Sequence, residues 1–382
     1  MVAFCSFFQQ MLELFPRGEF DGLVRKHAAE RHARGFTSWE QFVSMMFCQL
    51  GKAQSLREIC DGLESIQGKA RHLGIEAPKR STLAYANQHR PWEMFESVFH
   101  GLFGRIQREL APGHKFRFRN RLLSMDGTII ELCASSFDWA HYKQQKGAVK
   151  LHMVLDHAGH LPAFCRITEG KVHEIQVARG LEFAPGTIIV FDRGYVDYEW
   201  FRDMSVRKIW FVTRLRENIN YTIDHDRVVT HPIVHSDQII MLEKHRRYGF
   251  EPVRLRRIVV NAEEGEFEVF TNNETLAAST IAEIYRQRWQ IENFFKAIKQ
   301  NLRVKTFVGT SANALKIQIW TALIAILLLK YLQLKARCGW SLSRLVALIR
   351  MHLFTYRHLW KWLEDPFIAE DEPPPQLVLQ FG

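Results

Sequence analysis

Residues 186–195 read GTIIVFDRGY, an apolar run that leads directly into Asp192, an arginine and a glycine. Such a run predicts a strand buried on both faces, as in parallel sheets. α/β sheets place ligands beyond the carboxyl ends of their strands, and Asp192 stands at that end. The alternative is that Asp192 only caps a helix or closes a turn. The strand pattern favours a ligand-binding carboxylate.

The segments on either side of this run predict a mixed α/β sheet. Upstream, three strand patterns are followed by a helix: RLLSMDGTIIEL (121–132), VKLHMVLD (149–156), HLPAFCRITEG (160–170) and KVHEIQVARGLEF (171–183). Downstream, DYEWFRDMSVRK (197–208) has helical spacing, and IWFVTRL (209–215) is again a strand. Three strands, a helix, and then strand, helix and strand are typical of an α/β core.

The chain divides into regions of different pattern. Residues 1–115 have helical spacing and predict an N-terminal helical domain, and residues 116–340 predict an α/β domain. Within it, 216–275 contain runs such as RLRRIVVN with polar turns, which predict a β-rich insertion. Residues 341–382 give a C-terminal helix and an acidic, proline-rich tail.

The composition favours a polyanionic partner. The formal net charge is +10, which attracts nucleic acid first and an anionic membrane surface second. The six cysteines form no C-x-x-C pair and lie in apolar runs, so we expect reduced thiols in a cytosolic protein. The apolar run from Ile319 to Leu329 is too short to span a bilayer and predicts a buried core helix.

Two more acids resemble Asp192 in their settings. Asp126 lies in SMDGT at a strand pattern, although an Asp-Gly pair could also close a hairpin. Glu292 lies in a helical pattern in which Tyr285, Arg288 and Lys299 recur at spacings that keep side chains on one stripe. The opposite face, which begins with Trp289, is apolar and should pack. The polar stripe should therefore face a cleft or water.

Three acids from separate elements suit phosphodiester chemistry. Two divalent ions can activate a water, neutralise the phosphate and stabilise the leaving oxygen. Oxygen ligands suit Mg²⁺, which keeps several waters and takes few protein carboxylates.

SMDGT, IIVFDRGY and Y-x-x-R-x-x-x-E-x-x-x-x-x-x-K together resemble the acidic motifs of DDE transposases in the insertion-sequence-four family, with its Tyr-Arg-Glu-Lys signature. The resemblance implies a ribonuclease H-like core with a β insertion between the second and third acids. It implies a DNA transposase that cuts and joins DNA with two Mg²⁺ ions, for which Mn²⁺ can substitute. It also implies double-stranded DNA partners, namely terminal inverted repeats and target DNA, and a homodimer on paired ends.

The resemblance also implies roles for individual residues. Asp126, Asp192 and Glu292 would be catalytic metal ligands. Phosphate contacts would come from Tyr285, Arg288 and Lys299, with Arg193 as a further candidate. Relatives place a tryptophan in the insertion to stack on a flipped base, and residues 216–272 contain none.

Two regions are candidates for wider DNA contact. The helical stretch STLAYANQHR (81–90), capped by Ser81 or Thr82, outlines a helix-turn-helix reader with Arg90 on its polar face. The run KHRRYGFEPVRLRR (244–257) predicts a DNA-backbone surface through Arg246, Arg247 and Arg256. The alternatives are a helical bundle with a solvated face and a solvated hairpin.

Other functions account for fewer of these features. A catalytically inactive DNA-binding regulator derived from a transposase would not need all three acids. A phosphohydrolase for small molecules would not need the basic excess or the helical N-terminus. We therefore expect an enzyme of the bacterial cytosol, associated with the nucleoid.

Overall fold

The computed structural model describes residues 5–31, 33–66, 72–110, 115–133, 141–142, 146–216, 219–242, 252–262, 265–301, 307–336 and 338–367. Ten described strands form one sheet. They are β1 Leu122–Cys133, β2 His141–Tyr142, β3 Lys146–Asp156, β4 Leu161–Glu169, β5 Ile188–Phe191, β6 Trp210–Thr213, β7 Tyr221–Asp226, β8 Val234–Leu242, β9 Val253–Ala262 and β10 Gly265–Thr271.

The centre of this sheet is a parallel trio, with β1 beside β5 and β5 beside β6. On one side β3 pairs antiparallel with β1, and β4 pairs antiparallel with β3. The apolar residues of β5 are all buried, because helices and neighbouring strands cover both of its faces. The mixed α/β core is confirmed, and its strand order is that of a ribonuclease H-like fold.

The insertion extends the same sheet rather than forming a separate one. Strand β10 pairs antiparallel with β6, and β9, β8 and β7 follow in order to the sheet edge. The four strands lie between Asp192 and Glu292 in the chain, as predicted for residues 216–275. The insertion is therefore connected to the carboxylate-bearing strands by continuous backbone hydrogen bonding.

Helices surround the sheet and form the N-terminal region. They are α1 Phe7–Leu12, α2 Arg17–Lys26, α3 Ser38–Gly51, α4 Leu56–Ser65, α5 Arg80–His89, α6 Glu93–Leu110, α7 Glu174–Ala178, α8 Tyr198–Val206, α9 Ala278–Arg286, α10 Trp289–Asn301, α11 Ala312–Lys335, α12 Leu342–Met351 and α13 Leu359–Glu364. A short 3₁₀ turn, Arg193–Tyr195, follows β5.

Helix α11 is the centre of the largest hydrophobic core. It packs against α3, α5 and α6 of the N-terminal region and against α12. Ala312–Lys335 is long and apolar enough to cross a membrane, but 83% of its most apolar window is buried inside the protein, as in a core helix. The predicted core helix is confirmed. The N-terminal helices and the helices after the sheet thus share one core, while the division at residues 115 and 340 stays a prediction.

Candidate active site

Asp126 and Asp192 lie next to each other on two neighbouring strands of the parallel trio. Met125 pairs with Phe191 across β1 and β5, so the two aspartates follow paired positions on adjacent strands. The backbone N–H of Gly127 donates to Asp126 Oδ1 at 2.7 Å. Asp192 caps the 3₁₀ turn after β5, because its Oδ1 accepts from the N–H of Gly194 at 2.9 Å. Both carboxylates are therefore oriented by backbone donors.

Glu292 reaches the site from the first turn of α10, and the helix predicted to carry Tyr285 to Lys299 is interrupted rather than continuous. Helix α9 ends at Arg286 and α10 begins at Trp289. Between them the N–H of Arg288 donates to Tyr285 O at 3.0 Å, a tight i to i−3 turn. Of the apolar face predicted for this helix, Phe294 and Phe295 are buried as expected, whereas Trp289, at the start of α10, is 57% exposed.

Arg288 joins the two helices to the acid. Its Nη1 lies 2.5 Å from Glu292 Oε1, and the guanidinium lies 5.8 Å from the ring centre of Tyr285. Burial opposes the charge of Arg288, but the hydrogen bond to Glu292 and the nearby Tyr285 and Asp126 leave its pKa raised. Tyr285, Arg288 and Glu292 are thus brought together despite the break between the helices.

The other predicted donors lie in different places. Lys299 Nζ donates to Thr128 Oγ1 at 2.6 Å and to Ile129 O at 3.3 Å, which fastens α10 to β1. Thr128 is two residues beyond Asp126, on the same face of the strand. Arg193 is exposed directly after Asp192. Lys299 therefore lies near Asp126, and Arg193 lies next to Asp192.

The sequence reasoning missed Arg214. Val212 of β6 pairs with Val190 of β5, so Arg214 and Asp192 follow paired positions on neighbouring parallel strands. Arg214 is exposed, and its charge and that of Arg288 oppose the rise that burial causes in the pKa of Tyr285. Arg214 could have been predicted, because in IWFVTRL a strand pattern leads directly into this arginine.

The three acids interact electrostatically. Burial, together with the negative charges of Asp192 and Glu292, raises the pKa of Asp126 to about 7, although the Gly127 N–H and Arg288 act in the opposite direction. Each carboxylate therefore disfavours ionisation of Asp126 in the metal-free protein. A divalent cation between these groups would remove that repulsion.

The donor set fits a divalent metal without forming a closed cage. Carboxylate oxygens are the ligands Mg²⁺ prefers, and Mg²⁺ needs only one or two of them because it keeps several waters. In the described part of the chain, no three His, Cys, Asp or Glu side chains form a complete ligand group. Asp126 and Asp192 are positioned for a cation, whereas Glu292 is held by Arg288.

Comparison with known proteins agrees with this arrangement. The model of the transposase DDE domain matches residues 117–328, more than half of the chain. This chain belongs to the transposase DDE domain family. A second match, to a domain of unknown function, covers residues 5–76.

Two relatives of this transposase align with more than two thirds of the chain. It is 28% identical to the y4zB protein of Sinorhizobium fredii, over 78% of this chain and 82% of that protein. It is also 28% identical to the IS5377 insertion-sequence protein of Geobacillus stearothermophilus, over 69% and 70%. Both relatives are provisionally assigned as transposases. The piggyBac transposase synaptic complex with hairpin DNA covers 96% of this chain and 86% of its own, at 12% identity and a TM-score of 0.45.

The structure contradicts the predicted DNA contact of Arg90 in the transposase. The side chain is buried and donates to Thr37 O at 2.7 Å and to Phe36 O. Ser81 and Thr82 do not cap the helix either, since α5 begins at Arg80 with Lys79 as its N-cap. Arg90 therefore connects α5 to the start of α3.

The structure also contradicts the predicted DNA contact of Arg256 in the insertion. Arg256 is 2% exposed and donates to both carboxylate oxygens of Asp237 at 2.8 and 2.7 Å. Its Nη1 also donates to Leu276 O at 2.6 Å. The guanidinium is fully engaged inside the protein. Arg246 and Arg247 lie outside the described residues, so the prediction for them stands as a prediction.

The raised pKa of Asp126 predicts a pH-dependent stability difference. A carboxyl group with a folded pKa of about 7 favours the folded state while protonated, and this contribution is lost as pH rises from about 4 through 7. Asp126→Asn keeps a neutral side chain at every pH. Without metal, its free energy of unfolding should equal that of the wild type near pH 4 and exceed it by about 2–4 kcal/mol at pH 8.

Urea titrations of both proteins at pH 4, 6 and 8, with a chelator present, measure this difference. Asp203→Asn, an exposed aspartate on α8, is the matched control and should show no such trend. Equal stabilities of wild type and Asp126→Asn at pH 8 would contradict the electrostatic account of the site.

Gly194 has a steric role at the same site. A Cβ at this position would lie 3.0 Å from Asp192 Oδ1, closer than nearly all real Cβ contacts. Gly194→Ala should displace the carboxylate and lower the cleavage rate about a hundredfold, because such small misplacements are expensive in catalysis. Single-turnover cleavage rates measure this effect. Gly22→Ala, in open space on α2, is the control and should cleave at the wild-type rate.

Proposed function

We propose that this protein cuts and joins DNA strands at Asp126, Asp192 and Glu292 with two Mg²⁺ ions, for which Mn²⁺ can substitute. The observation that carries the proposal is the meeting of three acids from separate elements beside the central strands β1 and β5. Asp126 and Asp192 follow paired positions on β1 and β5, and the charges of Asp192 and Glu292 both act on Asp126. Membership in the transposase DDE domain family supports the same reaction.

Different residues of the chain would have different roles in the reaction. Asp126 and Asp192, oriented by Gly127 and Gly194, would hold the cations. The bound cations supply an activated water and neutralise charge on the phosphate and leaving oxygen. Arg288 sets the position of Glu292 through a 2.5 Å contact and would turn toward a phosphate when Glu292 binds metal.

Cationic and hydroxyl donors surround the acids. Arg193 and Arg214 follow β5 and β6 and are exposed, which suits contacts with the phosphates that flank the cleaved bond. Tyr285 lies beside Arg288, and its hydroxyl would donate to the same DNA phosphates. Lys299 would hold α10 at a fixed distance from β1 rather than contact DNA first.

The DNA substrate would be the terminal inverted repeats of the protein's own element, followed by a target duplex. Two copies of the chain would act as a homodimer on paired ends. Both steps suit a basic protein in the bacterial cytosol, associated with the nucleoid, because a net charge of +10 favours binding to duplex DNA.

Cleavage of the DNA that flanks the protein's own gene tests the proposal. Duplexes of each flank are incubated with the protein and Mg²⁺, Mn²⁺ or a chelator, and products are mapped to the nucleotide. Metal-dependent cuts at the ends of the element are expected, with strand transfer into a supplied plasmid. Tight binding without cuts in either metal would instead indicate a DNA-binding regulator.

A further inference from the structure

An open groove of about 720 Å³ lies in the N-terminal region, far along the chain from the acids. One wall is the segment between α2 and α3, with Arg31 and Arg34, and the other is α5, with Ser81 and Thr82. Among the described residues, no acidic side chain lines it. Neither arginine forms an ion pair within the described residues, unlike the arginines of the insertion.

The inner face of α5 is fully used by the fold. Asn87 is buried and its Oδ1 accepts from Gln41 Nε2 at 2.8 Å. Arg90 hydrogen bonds to Gln41 and to the carbonyls that begin α3. These contacts fix the rotation of α5 about its own axis. The side chains that point away from α3 are therefore determined.

The outer face of α5 is exposed and polar. Four exposed residues fall on it at helical spacings of three and four: Ser81, Tyr85, Gln88 and His89. Tyr85 is 64% exposed, and its ring stacks on that of His89 at 4.0 Å. Stacking reduces the mobility of both rings, so they form a firm surface beside the groove.

We infer that this groove and the outer face of α5 bind the terminal-repeat duplex, an inference that rests on the proposed function. The groove holds one sugar–phosphate strand, with Arg31 and Arg34 paired to phosphates and the hydroxyls of Ser81 and Thr82 opposite them. The outer face, above all Gln88, meets base edges, where a glutamine amide can pair with adenine. Arg90, the predicted reader, acts only by orienting the helix.

The occupant is duplex DNA because the two features belong to different parts of a duplex. Exposed guanidinium groups without acidic partners suit the phosphate backbone, which carries no sequence information. A polar helix face with an amide suits a major groove.

Two variants separate these roles in fluorescence-anisotropy titrations. The probes are a duplex of the DNA flanking the gene and a scrambled duplex of equal length and composition. Arg34→Ala should weaken binding to both duplexes and make the slope of log affinity against log salt shallower by about 0.9. Gln88→Ala should leave the scrambled duplex unchanged and reduce the preference for the flanking duplex roughly 5- to 100-fold.

Arg57→Ala is the matched control, because Arg57 is exposed on α4 outside the groove and its loss changes the net charge equally. Its salt slope should equal that of the wild type. The inference is overturned if Arg57→Ala and Arg34→Ala change the slope equally, or if Gln88→Ala keeps the full preference. Wild type without any preference between the duplexes overturns it too.

Measuring cleavage as well as binding distinguishes a failure of this inference from a failure of the proposed function. If wild type cuts the flanking duplex while both groove variants bind it normally, the proposed active site stands and the inference about the groove is refuted. Wild type that prefers the flanking duplex but never cuts it, with both variants impaired as described, would retain the groove and refute the catalytic proposal.

Discussion

Asp192→Asn should lower single-turnover cleavage of the flanking duplex about a thousandfold, which corresponds to the loss of about 4 kcal/mol of transition-state stabilisation by a bound metal. The amide keeps an oxygen that can accept from the Gly194 N–H, so the turn after β5 should survive. Only the negative charge is removed. Binding of the same duplex in a chelator should be at least as tight as that of wild type, because the substitution removes a carboxylate that the DNA phosphates repel.

Cleavage rates and anisotropy titrations on the same protein preparations measure both effects. Asp203→Asn on α8 carries the same chemical change at an exposed i,i+4 pair with Arg207 and should cleave normally. Cutting by Asp192→Asn at the rate of this control would place the metal elsewhere. Equal loss of cleavage and DNA binding would show that the substitution disturbs the fold.

Arg256→Ala should lower the free energy of unfolding by about 3–5 kcal/mol, because it removes both hydrogen bonds from the guanidinium to the buried Asp237 carboxylate. Asp237 is 4% exposed, and Arg227, at 3.7 Å, is its remaining cationic neighbour. Arg254→Ala is the matched control. Arg254 pairs with Asp224 and Glu274 at the surface, and its loss should cost less than about 1 kcal/mol.

Chemical denaturation followed by circular dichroism measures these differences. The double variant Arg256→Met with Asp237→Leu should recover most of the stability, since removing both charges leaves no uncompensated ion. A DNA affinity of the double variant equal to that of wild type would show that Arg256 acts through the fold. A small loss of stability together with a large loss of DNA affinity would restore Arg256 as a DNA contact.

The residues of the site that could be predicted were those whose local sequence pattern shows which element carries them. Asp192 follows a run that only a buried strand explains, and Asp126 follows a similar pattern. Arg288 and Glu292 are four residues apart, a spacing that survived the helix break because the turn keeps them adjacent. Arg214 could also have been found, because it follows the next parallel strand.

The parts that could not be predicted depend on contacts between distant segments. Arg90 and Arg256 stand in polar stretches that are typical of DNA-binding surfaces. Arg90 is buried because its partners are carbonyls at the start of α3, and Arg256 because Asp237 of β8 lies opposite it. A sequence pattern shows that an arginine is present but not whether a buried acceptor lies within reach.

By itself, the sequence determined the strands, the acids on or after them and the charge that favours DNA, because these follow from local apolar patterning and composition. Tertiary structure alone decided two matters: the rotation of α5 and which arginines are free. Each depends on packing and hydrogen bonds between residues far apart in the chain, such as Asn87 with Gln41. Local patterning carries no information about such partners.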